Sequence, residues 1–153
     1  MEDRKLTRRA LFACLAASCV FAVLPIARAE SELLSPEEAF KVSARLVTSK
    51  TVELDYIIAP GYHLYRGRLA FVTDNAAVRV ASVSGPPPES AFDTALGERT
   101  EFYAGRVTVR VTLSGPNVPV RLTARGQGCA VGRVCYPPFS RTFYVPSIEG
   151  AKG

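Results

Sequence analysis

One histidine, His63, stands among 153 residues, and that scarcity excludes a good deal. A structural zinc site wants four protein ligands and a catalytic one three, a demand that one histidine and a few cysteines do not meet at any usual spacing. No serine–histidine–carboxylate set and no paired-carboxylate site can be assigned. Gly126, Gly128 and Gly132 lie close together, but no strand-to-helix turn follows them, so they make no phosphate-binding fingerprint. Internal repeats, low-complexity tracts and long stretches of helical periodicity are also missing. The longest uncharged apolar run, Leu11 to Ile26, falls short of the roughly 20 residues that a membrane-spanning helix needs.

What that run does resemble is the core of an export signal. Arg4, Lys5, Arg8 and Arg9 precede it and Ala27-Arg28-Ala29 follows it, the order of a secretory signal peptide with a small-x-small cleavage site. Residues 1–29 are therefore expected to be removed, leaving a mature chain from Glu30 with no stable membrane insertion; an uncleaved anchor is the alternative. Thr7-Arg8-Arg9 before Leu11-Phe12 also has the form of a twin-arginine signal.

Removing the leader changes two counts. It carries five of the 19 basic and two of the 14 acidic residues, so the formal charge of +5 falls to a small positive excess. The remaining arginines mostly alternate with apolar residues, as on a solvated strand face, and form no stripe for nucleic acid. Cys14 and Cys19 leave with the leader, and Cys129 and Cys135 then have only each other. In an oxidising compartment such a pair is expected to close a disulfide.

The mature chain reads as strands. Phe40, Val42, Ala44 and Leu46 alternate with polar residues, as do Val52, Leu54, Tyr56 and Ile58, and Val107, Val109, Val111 and Leu113. Period-two alternation marks half-buried strands, and shorter runs of the same kind occur at 77–83, 118–124 and 141–146. Turn formers separate them at Pro60-Gly61, Asp74-Asn75, Gly85 to Pro88, Gly115-Pro116-Asn117 and Tyr136-Pro137-Pro138. "SPEEAF" supplies one helical turn, with Ser35 as cap and Pro36 in the first position. Seven or so strands in one domain, residues 30–153, predict an all-β, immunoglobulin-like antiparallel sandwich, with a small barrel as the competing architecture. Ser84 to Thr100 reads as a long surface connection.

"GQGCAVGRVCYPP", residues 126–138, poses the functional question: staple or switch. Closing the seven-residue ring from Cys129 to Cys135 contributes about 2.4 kcal/mol by loop entropy, near the low end for a disulfide. The domain has apolar residues enough for a core without it, and bridges in sandwich domains usually tie one sheet to the other. On these grounds a redox role and a local staple stand level, the second belonging to a noncatalytic secreted binding module.

The surroundings add a resemblance. "GQGCAVGRVCYPP" resembles the cysteine hairpin of the N-terminal periplasmic domain of DsbD-type thiol:disulfide interchange proteins. "PGYHLYRGR" at 60–68, "EFYAG" at 101–105 and "SPEEAF" are similar to three more of that family's segments, in order and at similar spacing. The resemblance implies an immunoglobulin-like domain that takes electrons from a thioredoxin-like or membrane-embedded donor and passes them to oxidised periplasmic proteins. It implies thiol-disulfide exchange without metal or organic cofactor. By the same resemblance, Cys135 is expected to bond to the partner and Cys129 to resolve the mixed disulfide, Glu101, Phe102 and Tyr103 to form a cap loop over the sulfurs, and Tyr65 to line the site with Tyr62 close by. Two positions depart from the family's pattern: Thr100 stands where an acidic residue is common, and His63 where a tyrosine often stands. The family's membrane and C-terminal thioredoxin-like domains are not in this sequence, so the donor is expected on a separate chain.

Overall fold

The computed structural model describes residues 32–94 and 96–147; the expected signal peptide lies outside them. Ser35 opens a single helical turn, α1 (Pro36–Ala39), through a capping box in which its hydroxyl accepts from the Glu38 amide and Glu38 returns the bond to the Ser35 amide. In chain order there follow β1 (Phe40–Thr48), β2 (Thr51–Ile58), β3 (Tyr62–Tyr65), a 3₁₀ turn at Arg66–Arg68, β4 (Ala70–Thr73) and β5 (Arg79–Ser84). Then come β6 (Glu89–Asp93), β7 (Glu98–Tyr103), β8 (Arg106–Ser114), β9 (Val120–Gly126), β10 (Gly128–Ala130), β11 (Val134–Cys135) and β12 (Phe139–Val145).

The strands pair antiparallel in three sheets: β1-β2-β8-β5, β11-β10-β3-β7-β6 and β12-β9-β4. Together they make the expected immunoglobulin-like sandwich. Alternation decides what each strand buries: Val52, Leu54, Tyr56 and Ile58 of β2 face inward, as do Val107, Val109, Val111 and Leu113 of β8. They meet Phe40, Leu64, Leu122 and Phe139 in one apolar cluster to which all three sheets contribute. Between Val52 and Leu54, Glu53 is the buried exception. It lies on the outer face, where the register sets it between Arg45 and Arg110, and both guanidinium groups bind its carboxylate, Arg110 at 2.5 Å. With both arginines more than half exposed, the row satisfies the carboxylate and adds little net stability.

One expectation is overturned. Ser84–Thr100 is no open connection, because it contains β6 and the start of β7, which pair from Asp93 opposite Glu98 to Glu89 opposite Phe102. The turn is built by Asp93, whose backbone carbonyl accepts from the Gly97 amide at 2.8 Å and whose Oδ1 accepts from the Leu96 amide at 3.1 Å. "EFY" correspondingly ends a paired strand of this hairpin.

Candidate functional site

The site is a consequence of pleat. In the second sheet Cys135 pairs with Cys129 and Cys129 with His63, while Tyr65 pairs with Phe102. Residues directly opposite point to the same face, and so do residues two apart along a strand. One face of the sheet therefore carries both cysteines, His63, Tyr65 and Phe102, and the register of β6 and β7 adds Thr100, Ala91 and Asp93. Tyr62, Leu64 and Tyr103 point the other way.

The cysteine hairpin is held at close quarters. Gly128 must be glycine because a Cβ there would lie 2.4 Å from Phe40 Cζ and 2.5 Å from the His63 carbonyl oxygen. Gly132 turns the chain between β10 and β11 at φ +66°. The amides of Val131 and Tyr136 bond to the Gly61 and Gly128 carbonyls, and Gln127 donates to the Tyr136 carbonyl at 3.0 Å. Within this frame Cys129 and Cys135 form a disulfide.

The bridge has its own aromatic surround, apart from the main core: Cys129, Tyr65 and Phe102 form a separate buried cluster with Cys135 packed against it. Cys129 is 3% exposed, whereas Cys135 is only partly buried. Phe102 is 5% exposed and lies flat on His63, with centroids 3.6 Å apart and planes within 12°. Burial pushes the His63 pKa down, against an upward pull from Glu89 and Asp93, which keeps the ring neutral near pH 7. The Tyr65 hydroxyl lies 3.0 Å from Cys129 Sγ and 4.0 Å from Cys135 Sγ and donates to the Asp93 carboxylate. Burial first, and then Asp93, push the phenol pKa up, so it stays protonated.

Of the residues singled out from the sequence, Cys129, Cys135, His63, Tyr65 and Phe102 come together. Tyr62 does not join them: it packs in the main core against Phe40 and Tyr136, and its hydroxyl accepts from the Leu34 amide at 2.9 Å. Tyr103 is likewise a core residue whose hydroxyl donates to the Pro86 carbonyl at 3.2 Å. Glu101 is an exposed rim residue paired with Arg66 at 3.2 Å. Asp93 escaped the sequence reading, although an Asp four residues before a Gly is a usable turn signal. Among the described residues no group of three or more His, Cys, Asp or Glu is arranged to hold a metal ion. Chemically, the arrangement offers a disulfide with one buried sulfur, Cys129, and one partly exposed, Cys135, both packed against the Tyr65 and Phe102 rings.

Comparison with known proteins matches this picture. The family model described as "Thiol:disulfide interchange protein DsbD, N-terminal" covers residues 30–147. The thiol:disulfide interchange protein DsbD of Ralstonia nicotianae is 40% identical over 119 residues, 78% of this chain and 20% of that protein; this chain thus spans about a fifth of the length of that relative. Among solved structures, the reduced DsbD N-terminal domain of Neisseria meningitidis superposes with a TM-score of 0.67 at 32% identity, covering 77% of this chain and 92% of that one. A second Neisseria structure, of the DsbD N-terminal domain in complex with the PilB N-terminal domain, gives a TM-score of 0.62 at 28% identity, covering 75% and 88%.

Proposed function

The chain belongs to the family of DsbD N-terminal domains, and on that premise we propose that it carries electrons between periplasmic thiol-disulfide proteins through Cys129 and Cys135. The observation that carries this reading is the bridge's seat in a small aromatic cluster outside the main core, with Cys129 sealed and Cys135 partly open. A core staple has no need of a removable cover.

The cycle follows from thiol-disulfide exchange. A donor thiolate attacks Cys135 Sγ, the bond to Cys129 breaks, and Cys129 leaves as a thiolate that takes up a proton. The donor's second thiolate then attacks its own sulfur in the mixed disulfide, leaving the donor oxidised and Cys135 reduced. Toward an oxidised acceptor the same steps run in reverse: Cys135 attacks, and Cys129 resolves. Phe102, backed by His63, is the cover over the sulfurs, and Tyr65 lines the pair. Glu101 and Tyr103 hold the cover's strand, by the ion pair to Arg66 and by anchorage in the core. The Neisseria complex with a PilB domain supports a donor or acceptor on a separate chain. Export by a signal peptide cleaved before Glu30 delivers the chain to the periplasm.

The test has two arms. Equilibration of the mature chain with a glutathione or dithiothreitol series should give a potential above about −300 mV, the region below which structural bridges sit. In cells, Cys129→Ala should accumulate mixed disulfides and Cys135→Ala few. A bridge that resists reduction, together with no trapping by either variant, would return it to a structural role; equal trapping would overturn the assignment of the two sulfurs.

A further inference from the structure

Asp93 sits on the sulfur-bearing face with nothing in the exchange cycle assigned to it. Its carboxylate is held at both ends: Oδ1 accepts from the Leu96 amide at 3.1 Å, and Oδ2 accepts from the Tyr65 hydroxyl. A phenol has one hydrogen. Tyr65 oxygen is within reach of both Asp93 and Cys129 Sγ, 3.0 Å away, and the hydrogen goes to the charged acceptor, which makes the stronger bond. The oxygen's lone pairs are then left facing the sulfur.

We propose that Asp93 fixes which thiol of the reduced pair is the nucleophile, by turning the Tyr65 hydroxyl so that it accepts from the Cys129 thiol. The assignment rests on the thiol-exchange reading above and supplies a physical reason for its asymmetry. A hydrogen bond donated by the neutral form of an acid disfavours its ionisation, so Cys129 stays a thiol. Cys135, partly open and at 4.0 Å from the same oxygen against 3.0 Å for Cys129, is held by a weaker contact and ionises first. When Cys135 is tied up in a mixed disulfide, Cys129 must give its proton to solvent before it can attack, which prolongs the covalent complex with a partner. Asp93 thus acts as a positioning residue through Tyr65. The ionisable groups around the pair are His63 and Tyr65 from β3, Glu89 on β6 opposite Phe102, Glu98 opposite Asp93 on β7, and Arg133 in the β10–β11 turn. Asn at position 93 retains an oxygen for the Leu96 amide but presents an NH₂ to Tyr65, freeing the phenol hydrogen for the sulfur.

The experiment measures iodoacetamide alkylation against pH for each thiol alone, in mature chains carrying Cys135→Ala or Cys129→Ala. The midpoint of each curve reports ionisation independently of access. With Asp93 present, the Cys129 midpoint should lie above that of Cys135 by about one unit or more, a tenfold difference in thiolate fraction below both midpoints. Asp93→Asn should bring the Cys129 midpoint down by about one unit and move that of Cys135 much less. In a Tyr65→Phe background the same substitution should move neither, because the hydroxyl it reorients is gone. Equal midpoints in the otherwise unaltered chains would overturn the proposal without recourse to Asp93→Asn, as would an unmoved Cys129 in the Asn variant. A shift that persists without the Tyr65 hydroxyl would also overturn it, leaving only the carboxylate's charge acting through space. A wild-type bridge that no thioredoxin-like dithiol reduces would instead remove the functional reading, and these curves would still decide the thiol assignment.

Discussion

Phe102 is the side chain proposed to govern access to the sulfurs, and its neighbours make two measurements informative. Phe102→Ala removes the ring from a cluster that holds only Tyr65 and the two cysteines besides. The reduced protein should therefore react faster with small disulfides and alkylating agents. The denaturant midpoint should register a loss below the roughly 3 kcal/mol of a core phenylalanine truncation; unchanged reactivity with a larger loss would make Phe102 a packing residue. His63, under the same ring, adds a pH dependence. Its folded-state pKa is depressed mainly by burial, so the unfolded chain binds the proton more readily than the native one, and stability is lost as pH falls through the unfolded value near 6.5. Urea midpoints at pH 7.5 and 5.5 should fall further for wild type than for His63→Phe, which keeps a flat ring on Phe102 without the titration. Equal falls would show that His63 is not under this strain.

At the scale of strands and hairpins, what could be read from the chain depended on how much of each strand faced apolar neighbours. β2 and β8 bury every second residue, and their alternation is plain in the sequence. β6 and β7 escaped because Ser90, Ala91, Phe92 and Arg99 on the hairpin are exposed, and a run of three prolines precedes them; the pairing is set by the Asp93 turn and by Phe102 and Tyr103 at the inner end. The same pleat logic separates the aromatic residues. Alternation in "YHLY" and "EFY" puts His63, Tyr65 and Phe102 on one face and Tyr62 and Tyr103 on the other, a distinction that a motif match does not make. The cysteine hairpin is fixed from beneath, where Gly128 packs over Phe40 and Phe40 stacks on Phe139 at 5.4 Å. Gly128→Ala should destabilise the domain by about 1–3 kcal/mol, the cost of overpacking a filled site, and should loosen the cysteine hairpin at the same time. Chemical denaturation with a parallel thiol-reactivity assay checks both, and a neutral substitution would mean that the contact with Phe40 relaxes freely.

For the whole molecule, the proposed start of the mature chain at Glu30 can be set beside the contacts made by Leu34. Leu34 is held on both sides, its amide donating to the Tyr62 hydroxyl at 2.9 Å and its carbonyl accepting from the Tyr136 hydroxyl at 2.6 Å, and the proposed cleavage before Glu30 keeps both bonds. N-terminal sequencing of the exported protein should find Glu30 or a close neighbour, and a start beyond Leu34 would contradict that cleavage. The six-residue separation of Cys129 and Cys135 has a consequence of a different kind. Reduction and unfolding form a thermodynamic cycle, in which the free energy the bridge lends to the fold equals the free energy the fold lends to the bridge. A ring this short contributes about 2.4 kcal/mol, so folding lowers the bridge's reduction potential by only about 50 mV relative to the same ring in the unfolded chain. Cysteines farther apart in sequence would have bound folding and oxidation together more tightly; this spacing lets the domain gain and lose its disulfide many times while remaining folded.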